Sequence, residues 1–225
     1  LVAMGEKRLA CQYDSVLALA RQCAAFAERA QGNFPFALLC GQACSGLGQT
    51  GEARAHFQRA LALAEQPQDR IEAALGLAAV LNTLDCLDEE ERLIEAMLPI
   101  ARAMQAHAAL ARLNHLHGNI YFPRGDYAEC RRLHEEALSF ARIGRDLETE
   151  AKALSGIGDS YYAQGRMQTA YEVFDQCVRL CERNGLAHVE AGNRSARGSA
   201  QLYLGQPEPA LRDAMAAIEC SARLG

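Results

Sequence analysis

Glycine returns in this chain at a fixed step of forty residues. Gly118, Gly158 and Gly198 form one column, and Gly125, Gly165 and Gly205 form a second. The same step joins Cys130, Ala170 and Ala210, then Ala137, Cys177 and Ala217, then Leu138, Val178 and Ile218. Tyr121 recurs as Tyr161, with Gln201 in the third copy, and His134 and Phe174 are followed by Ala214. So many columns in register over residues 105–225 mean one structural unit used three times. A sustained period in this range specifies a stacked array of supersecondary units.

The spacing inside one copy gives the unit its shape. Asn114, His117, Gly118 and Tyr121 share one face of a helix, and the glycine there, lacking a Cβ, admits a second helix closely. Gly125, Gly165 and Gly205 end that helix. A second helix then lays 130, 134, 137, 138 and 141 along one face at 3.6-residue spacing. One copy is thus a hairpin of two helices with a small-residue seam. Its flanks stay exposed unless copies stack.

The order Gly118, Tyr121, Gly125, Cys130, His134, Ala137 resembles the tetratricopeptide repeat, and Gly158, Tyr161, Gly165, Ala170, Phe174, Cys177 resembles it more closely. Departures are His134 and Ala214 at the aromatic position and Gln201 at the tyrosine position. Each copy also exceeds the family's usual period of about thirty-four residues. The resemblance implies an all-α, right-handed superhelical solenoid of antiparallel helix hairpins. It says little about chemistry.

The rest of the chain is expected to follow the same plan, as a single solenoid over 1–225. Residues 1–33 read as a leading helix, Ala-rich over 6–31, and the chain opens in mid-helical sequence as a piece of a longer protein would. Repeats are expected at 34–68, 69–104, 105–145, 146–186 and 187–225. In the first, Gly41, Gly48, Ala53, Phe57 and Ala60 take the repeat positions, Thr50 is a candidate cap, and Gln66-Pro67 ends the second helix. The copy at 69–104 is the least regular: no glycine marks its turn near Leu84–Leu87, Pro99 falls inside its second helix, where it should kink it, and Asp88-Glu89-Glu90-Glu91 reads as a solvated first turn suited to the helix dipole. Gly144, Gly185 and Gly225 follow the last three second helices.

With 225 residues, a formal net charge of −5 and half of its residues apolar, the composition suits a soluble, cytoplasmic protein. No apolar run approaches the length of a membrane span, no signal-peptide pattern follows Leu1, and charges of both signs are interspersed without a basic cluster. Nucleic acid and membrane are therefore not expected partners. The nine cysteines, an odd number, mostly fall where a helix needs a small buried residue, and read as reduced thiols. Cys40/Cys44 and Cys177/Cys181 are spaced for two metal ligands, but no third and fourth ligand has matching spacing. Gly156-Ile157-Gly158 lies within a helix and makes no phosphate loop, and no nucleophile, base and acid stand in a catalytic pattern. The expectation is a protein without catalytic residues, metal or cofactor.

Repeats of this family bind through the wall lined by their first helices. The inward positions expected there are Arg112, His115, Asn119 and Phe122, then Lys152, Ser155, Asp159 and Tyr162, then Ser195, Ser199 and Leu202. Arg112, Asn119, Lys152 and Tyr162 are expected to converge on one groove, with Arg112 and Lys152 attracting an acidic group. The family's carboxylate clamp for chaperone C-termini is matched only by Asn119, because Gly156, Gly192 and Ala196 stand where it needs polar groups.

Two stretches carry a finer resemblance. His115-Leu116-His117-Gly118-Asn119-Ile120-Tyr121-Phe122-Pro123-Arg124-Gly125-Asp126 and Gly156-Ile157-Gly158-Asp159-Ser160-Tyr161-Tyr162-Ala163-Gln164-Gly165-Arg166-Met167 are similar to segments of bacterial signalling proteins in which a class III adenylate/guanylate cyclase domain precedes an ATPase module and a tetratricopeptide tail. The resemblance implies a non-catalytic scaffold for a protein or peptide, or for other domains of the same chain, serving as a C-terminal sensory arm. The alternative is the small-molecule- or peptide-sensing helical domain of a transcriptional regulator.

Overall fold

A computed structural model describes residues 12–23 and 32–222. Among these, every regular element is a helix: α1 (Tyr13–Cys23), α2 (Phe34–Gly46), α3 (Thr50–Leu63), α4 (Pro67–Thr83), α5 (Leu87–Ala103), α6 (His107–Tyr121), α7 (Tyr127–Gly144), α8 (Leu147–Ala163), α9 (Met167–Asn184), α10 (Ala187–Tyr203) and α11 (Pro207–Ala222). Of the leading helix expected at 1–33, α1 is the described part; residues 1–11 and 24–31, like 223–225 with Gly225, lie outside the described residues. The chain divides into two compact units, residues 1–104 and 105–225. None of the described helices is long and apolar enough to cross a membrane.

In the first unit α1 packs on α2, and α2, α3 and α4 each meet the next helix. Ala53, Phe57 and Ala60 of α3 are buried against Ala37, Cys40 and Cys44 of α2, as the repeat pattern requires. A Cβ on Gly41 or on Gly76 would fall 2.8 Å or 2.4 Å from the Phe57 ring, so both glycines make room for that ring.

Three local expectations change here. Thr50 is already helical, and the residue before it, Gln49, makes no capping bond. Pro67 opens α4 instead of closing α3, which ends at Leu63; the first turn of a helix needs no N–H from it. Glu90 is not solvated but fully buried, because the 3.6-residue period places it on the stripe of Ile94, Met97 and Ala101. Its Oε2 accepts from Asn82 Nδ2 at 3.0 Å, while its Oε1 has no partner. Burial pushes its carboxyl up to about 7. The turn lacking glycine places Asp85 itself at φ 57°, a left-handed conformation that aspartate tolerates better than most residues.

In the second unit each helix from α6 to α11 packs on the next, and α8 also touches both α6 and α10. Gly125, Gly165 and Gly205 take φ of 76°, 74° and 73°, which explains why that column is glycine. The Gly118 column serves close approach instead. Added Cβ atoms at Gly118 and Gly158 would lie 2.9 Å from His134 Nε2 and 2.4 Å from the Phe174 ring. Gly144 departs from its expected role. It still belongs to α7 and lets the backbone of Ala108 approach, and Arg145 takes the left-handed cap at φ 53°. In the following copy Gly185 holds that cap at 68°. Asp126 and Asp146 cap α7 and α8 by accepting from Glu129 N and Thr149 N.

The polar interior of this unit lies towards α11. Arg197 binds Asp213 and Asp175, and Arg194 binds Glu190 and Glu182 and also meets Asp213, so each half-buried guanidinium has at least two carboxylate partners.

Candidate functional site

The first helices of the three hairpins, α6, α8 and α10, form a groove of about 300 Å3, at the small end of the range for ligand sites. Its walls are His115 and Asn119 from α6, Lys152, Ser155, Gly156 and Asp159 from α8, and His188, Val189, Gly192 and Asn193 from α10. Residues 152, 155, 156 and 159 share one helical face, so α8 forms the middle of the groove.

Five of the eleven residues expected from the sequence therefore come together: His115, Asn119, Lys152, Ser155 and Asp159. The other six do not line the groove, and Leu202 among them is exposed. The Arg112 Nε donates to Asp146 Oδ2 at 2.8 Å, which ties it to the cap of α8. Phe122 follows the end of α6 and packs edge-on against Tyr127, with ring centroids 5.5 Å apart. Tyr162 meets Tyr203 in a T-shaped pair at 5.9 Å. Ser195 and Ser199 donate back to carbonyls of their own helix, those of Ala191 and Ser195. Helical serines commonly do this, and it leaves those hydroxyls without a free proton to offer.

The third wall was missed at 188–193. A signal for it existed, because the forty-residue step puts Gly192 level with Lys152 and Arg112. A side chain built on Gly192 would meet nothing within 4 Å, so this glycine leaves open space in the groove.

The charges differ from those expected. Lys152 Nζ lies 2.6 Å from Glu148 Oε1 and Arg112 is engaged outside, so neither stands as a free cation facing the groove. His115 is held neutral: burial, with His134 and Lys152 nearby, pushes it down to about 3. Its ring lies 5.2 Å from that of His134, itself pushed down to about 4 by burial. His134 is clamped between glycines, since a Cβ on Gly156 would reach 2.3 Å from its Nε2. Asn119 Nδ2 lies 3.5 Å from His115 Nε2. Burial pushes the Asp159 carboxyl up to about 6. The groove can thus offer amide, hydroxyl, imidazole and carboxylate groups to a ligand.

The cysteines at the seams behave as small apolar residues. Cys130, Cys177 and Cys181 are free and buried, and the Cys177 thiol donates to the Ala151 carbonyl.

Residues 109–183 match a family model of the tetratricopeptide repeat, and residues 37–71 match a second such model. Matches to tetratricopeptide-repeat models thus fall in both units. Solved structures share the fold. A Rap protein complexed with Competence and Sporulation Factor is 14% identical, with a TM-score of 0.80 over 96% of this chain and 60% of that one. NprR in complex with its cognate peptide NprX is 14% identical, with a TM-score of 0.77 over 96% and 64%. A signal transduction ATPase with numerous domains and a tetratricopeptide repeat sensor, from Pyrococcus horikoshii, is 16% identical, with a TM-score of 0.71 over 92% and 34%. This chain spans less than two thirds of each of these three. At such identities the likeness establishes the fold, an all-α tetratricopeptide-like solenoid, and leaves function to be argued from the site.

Proposed function

We propose that this chain is a non-catalytic scaffold that binds a peptide, or an extended segment of a protein, in the groove of α6, α8 and α10. The observation that carries the reading is the groove itself. Three successive first helices contribute to one cleft, and Asn119 in its wall can both donate to and accept from a peptide backbone. Two solved structures of the same fold contain peptide or factor partners, Rap with its factor and NprR with NprX.

The wider setting we propose is the C-terminal sensory arm of a bacterial signalling protein linked to an ATPase or cyclase module, acting in the cytoplasm. The sensor of the Pyrococcus horikoshii ATPase supports that setting, as does the resemblance of 115–126 and 156–167 to cyclase-linked tails. The coding sequence upstream of Leu1 is expected to encode such a module; a module of unrelated type there would remove this part of the reading.

The binding claim is tested with Gly192→Leu, which projects a side chain into the groove from a position where a Cβ meets nothing within 4 Å. Hexapeptides selected on the wild-type chain should lose binding to this variant. They should keep it with Arg132→Ala, whose guanidinium pairs with Glu129 and Glu136 on the exposed face of α7. Equal binding to both variants would place the ligand elsewhere.

A further inference from the structure

We infer that the groove selects a basic hydrogen-bond donor, a guanidinium or ammonium group of the bound peptide, and seats it on the Asp159 carboxylate with the Asn193 amide oxygen as a second acceptor. This inference rests on the peptide-binding reading of the groove and specifies what that peptide must carry.

Two observations point to it independently. Among the described residues Asp159, in the groove wall, meets no cation or hydrogen-bond donor, unlike Asp146, Asp175 and Asp213 of the same unit, which each meet an arginine. Burial accordingly raises its pKa with nothing to offset it. Asn193, from the facing helix α10, is 3% exposed. Its Nδ2 donates to the Val189 carbonyl at 2.9 Å, which fixes the amide's orientation. Its Oδ1 is buried without a partner in the same groove wall. A buried acceptor with no donor destabilises the empty site, and a ligand N–H removes that penalty.

Among the described residues, none of the other groups facing the groove, Ser155 included, makes a hydrogen bond or ion pair to Asp159 or to Asn193 Oδ1. Lys152 is seven residues from Asp159, about 10 Å along the helix, and is held by Glu148. His115 of α6 is neutral. His188 lines the groove from α10 without a bond to either group, and Asn119 lies against His115. The groove therefore holds an open carboxylate and an open amide oxygen. A guanidinium or ammonium group satisfies both, and a carboxylate ligand satisfies neither.

The probe is a bead library of random hexapeptides screened with the full chain. The wild type should enrich arginine or lysine over aspartate and glutamate at one position. Replacing that residue by citrulline or norleucine should weaken binding about tenfold or more. Acetylating the peptide amino terminus separates the sources: loss on acetylation assigns the ammonium to the terminus, and tolerance assigns the cation to a side chain. Asp159→Asn should abolish the preference without lowering the melting temperature, since it removes an unpaired buried carboxylate, and Asp159→Lys should turn the preference towards acidic peptides. Enrichment of acidic peptides by the wild type, or an unchanged preference in Asp159→Asn, would overturn the inference while leaving peptide binding standing. A library from which no peptide is retained would overturn the peptide-binding reading itself.

Discussion

The ring of Phe174 on α9 fills the space that a side chain on Gly158 of α8 would need, with Cε1 only 2.4 Å from where a Cβ would stand. Phe174 is fully buried, so its ring has nowhere to retreat. Replacing a helical glycine normally gains about 1 kcal/mol of helix propensity. Here the overlap outweighs that gain. Gly158→Leu is expected to destabilise the second unit by roughly 1–3 kcal/mol or more. Gln168→Ala, which loses only an exposed bond to Glu172, should stay within about 0.5 kcal/mol. Thermal melts of the two variants check this, and equal melting temperatures would contradict the seam.

Glu90 makes the first unit sensitive to pH. Its carboxyl titrates at about 7 in the fold against 4.5 in an unfolded chain. Between those values the folded chain keeps a proton that the unfolded chain has released. Its stabilising contribution is therefore whole below about pH 4.5 and is lost as pH rises through about 7. The full difference is on the order of 3 kcal/mol. Glu90→Gln keeps the shape and can still accept from Asn82. The stability gap between variant and wild type should widen in the variant's favour from pH 5 to pH 8. A gap independent of pH in denaturant melts would contradict the burial of this carboxyl.

His134 acts in the opposite sense. Its folded pKa of about 4 lies below the ordinary 6.5, so the unfolded chain binds the extra proton. The contribution is whole above about 6.5 and is lost as pH falls towards 4. Phe174 shows that the fold accepts phenylalanine at the same point of the next repeat. His134→Phe should therefore fold and should lower the pH midpoint of acid unfolding. An acid midpoint equal to that of the wild type would show that His134 is not held neutral by burial.

Much of this architecture is legible in the sequence because close packing leaves marks that spacing reveals. Gly118 and Gly158 are glycine for want of room, and Gly125, Gly165 and Gly205 for want of a negative φ. Both constraints repeat every forty residues. What the pattern hides is whatever a side chain decides by its partner. Nothing in Asp88-Glu89-Glu90-Glu91 separates the buried Glu90 from its neighbours except helical phase. Arg112 and Lys152 look like ligand-seeking cations until Asp146 and Glu148 are seen to hold them. Half of the groove was found by counting along α6 and α8. On α10 the expected inward positions, Ser195, Ser199 and Leu202, lie beyond the residues that line the groove, and Gly192, which reads from the sequence only as a gap in the carboxylate clamp, keeps the groove open because it has no side chain.

The central claim is that ligand enters between α6, α8 and α10. It is tested most directly by mapping backbone amide shifts of the chain on titration with a selected hexapeptide. The account predicts the largest changes at 115–119, 152–159 and 188–193, with Arg132 and its neighbours on α7 unmoved. Changes centred on the exposed face of α7 or on residues of the first unit, with the groove silent, would contradict it.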